Sequence, residues 1–351
     1  MIRMRNLAAG VAYCLAVAAS AQQLSSHTLQ LGAGKAITLS LPVGFDVNVA
    51  ANGMHRVRFF AESPDHRIFV TDMHDRSDNK LGAIYILTGW NPATHTFAGR
   101  TTYLDRLHNP NNLAFYTDPV THRMWLYTAV TEKLLRFRYN PGDNAPTSEP
   151  EVLAHFPDHG LNYKYGGWHL TRTVAFATLQ GHTRLYVAVG SSCNACQEKE
   201  PVRAALLAMD PDGSRQEIVA AGLRNAVDVE WVPALDGGSL FATNMGDDQL
   251  GDRAPEDTFF ELDSNGHAGP IARAGTEPAN YGWPTCYFED GVAHPDPTVS
   301  APDPAHPVFP LRRPGRRPPS TTAPRFRRRT PRSWHTLRRW ASRTSMVQTA
   351  C

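Results

Sequence analysis

Four stretches of this chain repeat one pattern, and that repeat constrains the fold more than any other feature. "RFFAESPDHRIFVTDM" (58–73), "LAFYTDPVTHRMWLYTAV" (113–130), "VAFATLQGHTRLYVAVG" (174–190) and "VEWVPALDGGSLFATNMG" (229–246) each set an apolar-aromatic pair, a turn-rich gap and a second apolar run. The anchoring aromatics Phe60, Phe115, Phe176 and Trp231 fall 55, 61 and 55 residues apart. Both runs of each unit are short, rich in β-branched and aromatic residues, and bounded by turn formers, which marks a strand pair rather than a helix. Further hairpin signals lie in "AMDPDGSRQEIV" (208–219) and "FELDSNGHAGPI" (260–271), where D-G or N-G separates strand-like runs. The turn around Asp210 and Asp212 mimics part of a calcium loop, but the distant glutamate of such a loop is missing, so it reads as a hairpin turn. A period near 55 built of strands and tight turns describes the four-stranded blade of a β-propeller. The expected fold is therefore all-β, a β-propeller of the six-bladed type, and the 42% of hydrophobic residues suffices for its core.

Both ends of the chain differ from this body. Residues 1–21 set Arg3 and Arg5 before an apolar stretch and an Ala19-Ser20-Ala21 site, the pattern of a secretory signal peptide. The stretch is too short for a transmembrane helix, and a periplasmic or secreted location is expected. From residue 311 the chain carries 12 arginines and no acidic residue, so residues 1–310 hold 23 basic against 33 acidic side chains, a net of −10. The reading divides the chain into a leader (1–21), an acidic propeller domain of about five blades (22–310) and an unstructured Arg/Pro-rich tail (311–351). A basic arm for nucleic acid or anionic membrane is one account of the tail. Out-of-frame translation of a GC-rich gene is the other and the favoured one; neither a nucleic-acid partner nor a membrane span is expected. An open ring would expose two sheet edges and compromise activity.

Export changes how the cysteines read: Cys193 and Cys196 in "CNAC" suit a tight disulfide, although pairing with Cys286 stays open. Haem attachment would need a histidine at position 197, which is Gln197. His169, in "GGWHLTRTVAF", reads either as a loop histidine bonded to backbone or as a base. No second His or Cys stands at zinc-ligand spacing from it.

"GGWHLTRTVAF…RLYVAVGSSCNAC", "AAGLRNAVDVEW", "LFATNMGDDQLGDRAPEDTFFEL" and "NYGWPTCY", in that order and spacing, resemble the glucose/sorbosone dehydrogenase family across residues 40–300. The resemblance implies a secreted six-bladed propeller that oxidises an aldose or a sorbosone-like aldehyde with pyrroloquinoline quinone and calcium. It makes His169 the general base that takes the hydroxyl proton as hydride leaves for the quinone, and an external acceptor would then collect the electrons. It assigns Arg224 and Asn225 to the quinone's carboxylates, where the bland alternative for Arg224 is a loop ion pair. Arg172 would orient the loop or reach the cofactor. The backbone of Gly246, Asp247 and Asp248 would hold calcium, in a loop that also supplies Asp252, Glu256 and Asp257. Asn109, Asn111 and Asn112 would contact the sugar through their amides. The family's further cofactor-binding Lys and Arg residues have no match here. Two other functions fit such a propeller: a calcium-dependent lactonase-type hydrolase, and a non-catalytic binding module.

Overall fold

The computed structural model describes residues 23–157, 169–179, 181–233, 238–262 and 278–299, and every regular element among them is a β-strand. The chain falls into two compact units. The first gathers residues 1–52 with residues 90–97. Within it, β1 (Leu24–Gly32) and β2 (Lys35–Pro42) form an antiparallel hairpin. Its turn places Gly32, Ala33 and Gly34 at positive φ, a backbone state that glycine tolerates best.

The second unit holds four blade sheets among the described residues. Blade 1 is β3 (Val57–Glu62), β4 (Ile68–Asp72), β5 (Gly82–Asn91) and β6 (Thr96–Leu107), with the β5–β6 tip belonging to the first unit. Blade 2 is β7 (Leu113–Thr117), β8 (Met124–Val130), β9 (Lys133–Tyr139) and β10 (Glu151–His155). Blade 3 is β11 (Arg172–Leu179), β12 (His182–Val189), β13 (Ala205–Met209) and β14 (Glu217–Ala221); blade 4 is β15 (Ala226–Val232), β16 (Ser239–Asn244) and β17 (Thr258–Leu262). Later in the chain, β18 (Ala279–Asn280) pairs in parallel with β14, and β19 (Cys286–Glu289) forms a hairpin with β20 (Val292–Pro295). Within each blade the order in space is the order in sequence, as meander sheets of a propeller require. The four repeated stretches are the first two strands of the four blades. The hairpin at 208–219 forms as expected, with the Gly213 amide donating to Asp210 O. The rest of the hairpin at 260–271, the leader and the tail lie outside the described residues.

The apolar runs are continuous in blades 2 and 3, which are buried on both faces. Neighbouring residues point to opposite faces of a strand, so a strand there serves two cores. Leu126 of β8 enters the core between blades 1 and 2, with Phe69, Ile84, Leu113 and Phe137; its neighbour Tyr127 enters the next core, with Leu134, Val174, Leu185 and Val187. Tyr186 and Leu206 of blade 3 then meet Val229, Leu240 and Phe260 of blade 4, and Tyr281 and Phe288 join them. Burial of such side chains is worth about 1.5–3 kcal/mol each. The anchoring aromatics lock successive blades: Phe115 sits edge-on to Phe69 at 5.1 Å, and Phe176 stacks on Tyr116 at 5.0 Å.

Polar struts cross the same interfaces. Asn112 clasps blade 3 in a two-way bond, Val174 N to Oδ1 and Nδ2 to Val174 O, both 2.8 Å. Asn111 accepts from Arg58 Nε (2.9 Å) and donates to Thr173 Oγ1 (2.7 Å) and Val227 O (3.2 Å). Arg58, Asn111, Thr173 and Val227 belong to, or immediately precede, the first strands of blades 1 to 4. One buried amide thus joins the inner strands of all four.

Candidate functional site

On one face, each blade brings together the residues just before its first strand and those just after its second. In blade 1 the Asp72 carboxylate accepts from the backbone amides of His55 and Arg56, both at 2.8 Å. In blade 2 the His108 ring lies between Glu132 (Nδ1 to Oε2, 2.5 Å) and Asp78. In blade 4 Arg224 Nε lies 3.3 Å from Asp247 Oδ1, both side chains being buried. Blade 3 places His169 against Ser191, and Ser191 carries no charge. Three blades therefore put a carboxylate at this place and the fourth puts a hydroxyl and a backbone carbonyl.

That difference fixes the chemistry of His169. Ser191 Oγ gives its own proton to Cys193 O at 2.7 Å, so it can only accept from the imidazole. Nδ1 of His169 is 2.9 Å from that hydroxyl and 3.1 Å from Ser191 O. The proton of the neutral ring therefore sits on Nδ1 and the lone pair on Nε2. Burial, and after it the positive charge of Arg224, pull the imidazole down to about 3, with Arg172 and Arg203 adding to the effect against the Ser191 carbonyl. His169 is neutral throughout the physiological range, so its lone pair is available, and a pKa this low makes it a weaker base than a free imidazole. Its backbone is left-handed, φ 45°, and Arg172 holds it there by donating from Nη1 to His169 O (2.6 Å) and Thr171 O (3.0 Å), and from Nη2 to Pro157 O (3.0 Å). Gly190 makes the close approach possible: a Cβ there would stand 2.5 Å from His169 Cβ and 2.6 Å from Asn225 Oδ1.

Arg224 is 1% exposed, and four of its five N–H donors are occupied by the chain itself. Nε donates to Asn194 O (2.8 Å), Nη1 to Gly246 O (2.7 Å), and Nη2 to Asn194 Oδ1 (2.8 Å) and Asp248 Oδ2 (3.0 Å). Asn225 is buried beside it, with Nδ2 directed at Met245 Sδ (3.2 Å) and its amide N–H donating to Asn244 Oδ1 (3.0 Å). Asn194 is presented by the loop that the Cys193–Cys196 disulfide closes, and it also receives Trp283 Nε1 at 3.1 Å. Cys286 is not in a disulfide. Glu198 lies near the two bridged sulfurs, but its carboxylate accepts the amide and hydroxyl of Ser192, so the group is a structural loop rather than a metal centre.

The structure thus brings His169, Arg172, Arg224, Asn225 and residues 246–248 to one face. The three asparagines assigned to the sugar are buried: Asn111 and Asn112 are the struts described above, and Asn109 joins Asn79 N to Ser77 O. Ser191, Asn194 and Asp296 belong to the site and carry no sequence signal of their own; Trp283 lies inside the "YGWP" motif. Asp296, just after β20, lies against Asp247. Burial, and then this second carboxyl, push Asp247 up to about 7, against the pull of Arg224 and Trp283.

Two implied groups can be tested against these residues. Arg224 presents no unoccupied fork to a quinone carboxylate, and the cavity beside it, lined by Asp247, Glu256, Tyr281 and Trp283, has about 20 Å³, room for about one water or ion. Arg224 and this cavity, as placed, do not fit a tricyclic tricarboxylate. A cation is different, because Asp247 Oδ2 has no hydrogen-bond partner and Oδ1 has only the Arg224 ion pair at 3.3 Å.

No protein-family model matches the sequence, and no curated protein matches it. Among solved structures, a calcium-binding protein, regucalcin, from Agrobacterium tumefaciens is 15% identical, covering 56% of this chain and 55% of its own, with a TM-score of 0.37. Xylan β-1,4-xylosidase from Bacillus halodurans is 16% identical over 72% of this chain and 45% of its own, with a TM-score of 0.39. An exo-1,5-α-L-arabinanase from a bovine ruminal metagenomic library is 11% identical over 53% and 67%, with a TM-score of 0.32. The chain spans about half the length of the first two. These likenesses are too slight to bear on chemistry. No helix among the described residues is long and apolar enough to cross a membrane.

Proposed function

We propose that the chain is an exported β-propeller enzyme acting on a carbohydrate-class substrate, with His169 as its general base. The observation that carries this reading is the fixed tautomer: Ser191 holds the proton on Nδ1, so Nε2 is the atom that accepts one. Arg172 holds the base by its backbone, and Gly190 keeps the space for it. Between the two chemistries open to such a base, cation-assisted hydrolysis of a sugar lactone is the one these residues accommodate. His169 would take a proton from water as the oxygen attacks the ring carbonyl, and the lactone C–O bond would break as the leaving oxygen takes that proton back, giving the hydroxy acid.

Quinone-dependent oxidation of an aldose or a sorbosone-like aldehyde, which the sequence resemblance supports, is the second reading. It requires Arg224 to leave Asn194, Gly246 and Asp248 for the quinone. Acid release from sugar lactones, followed with calcium and with chelator, tests the first reading. Hydrolysis that falls about 10²–10⁴-fold in His169→Gln would support it. Quinone absorbance that bleaches on adding aldose, with no lactone hydrolysis, would replace it with the second. Silence in both assays would leave a binding propeller.

A further inference from the structure

Buried carboxylates are costly unless paired or bound to a cation. Asp247 is 4% exposed and Asp296 5%. Both Asp247 oxygens lack a hydrogen-bond partner, and so does Asp296 Oδ2. Asp296 Oδ1 is held by Thr298 N (2.7 Å) and Thr298 Oγ1 (2.6 Å), and the Asp296 amide donates to Thr285 O (2.8 Å), so the group cannot swing away to solvent. Arg224 offsets one of these charges: its Nε stands 3.3 Å from Asp247 Oδ1, while its hydrogen bonds go to Asn194, Gly246 and Asp248. With Asp247 ionised, Asp247, Asp248 and Asp296 against Arg224 leave two negative charges, the complement of one divalent cation.

The neighbouring acids are committed elsewhere. Asp257 accepts from Gly246 N at 3.0 Å, Glu256 from Gly291 N at 2.9 Å, and Asp248 is 52% exposed by its side chain. Gly246 O, a carbonyl that the sequence resemblance assigns to calcium, already accepts from Arg224 at 2.7 Å. We infer that the Oδ2 oxygens of Asp247 and Asp296 form a site for a hard divalent cation, which ties the segment after β20 to the loop after β16. Two carboxylates suit calcium or magnesium, with water completing the shell. This inference would supply the cation used in the proposed hydrolysis, but it is tested without substrate.

Trp283 adjoins Asp247 and can serve as an antenna for terbium, a calcium surrogate. Full-length protein titrated with terbium should show saturable sensitised emission that calcium displaces. Asp296→Asn should weaken calcium binding by calorimetry about 10–100-fold. Trp283→Phe should lose most of the sensitised emission. Chelator should lower the melting temperature of the parent protein and leave that of Asp296→Asn unchanged. Two results would overturn the inference. One is no calcium binding at millimolar concentration by folded protein, together with an Asp296→Asn variant that melts higher, because the pair then holds a proton. The other is unaltered affinity in Asp296→Asn, which would put the cation elsewhere. Failure of lactone hydrolysis alone would leave the site standing.

Discussion

At the scale of single residues, Gly190 and Ser191 decide what His169 can be. The added methyl of Gly190→Ala must displace either the imidazole or the Asn225 amide, and overpacking of this kind costs about 1–3 kcal/mol. Urea denaturation should show that loss, and activity should fall further because the base moves with it. Ser191→Asp would give blade 3 the carboxylate that the other three blades carry. Its expected outcome is a His169 pKa raised above its present depressed value, read directly by NMR titration of the ring. The depressed value also has a stability signature. A histidine that titrates near 3 when folded and 6.5 when unfolded contributes stability that is complete above 6.5 and lost as pH falls toward 3. Asp65 adds a second, more acidic step. Burial raises its pKa, but hydrogen bonds from Ser63, Tyr139 and Gly142, with Arg67, outweigh it and hold the carboxylate at about 2 against an ordinary 3.8, so its contribution fades only between those values. Stability measured by denaturant from pH 7 to 2 should fall in both windows, and His169→Gln should flatten only the first.

At the scale of elements, the blades were legible because periodicity is local. The strand pairs β3–β4, β7–β8, β11–β12 and β15–β16 could be read from runs of β-branched residues and the turns between them. The contact of His169 with Ser191 was not, since nothing in a serine two residues past a strand says which histidine it will meet. Asn111 and Asn112 show the opposite difficulty: "HNPNN" reads as a polar surface loop, yet these amides are buried between blades. Their value is correspondingly mechanical. Asn112→Ala would orphan the Val174 amide and carbonyl, at about 1–3 kcal/mol. Gly222 plays a similar part for β18: a Cβ there would meet Asn280 Oδ1 at 2.4 Å and Gly282 N at 2.8 Å. Gly222→Ala should therefore detach the segment bearing Tyr281 and Trp283, seen as faster hydrogen exchange at Tyr281 N, which now donates to Ala221 O at 2.9 Å.

At the scale of the whole molecule, Phe60 breaks the rule its counterparts obey. Phe115 and Phe176 each pack on the preceding blade, whereas Phe60 on β3 is 72% exposed. Phe60→Asp should alter monomer stability by no more than about 0.5 kcal/mol while reducing any concentration-dependent association in sedimentation velocity. The junction at Asn111 has a different consequence, in time rather than in space. It joins Arg58, Thr173 and Val227, and its bond to Val227 spans 116 residues of chain. Contacts of such separation form late, after their loop-closure entropy has been met by other interactions. A ribosome must have passed Val227 before this junction can exist, so blades 1 and 2 have to wait, half-satisfied and in need of protection, for a carbonyl that has not yet been translated.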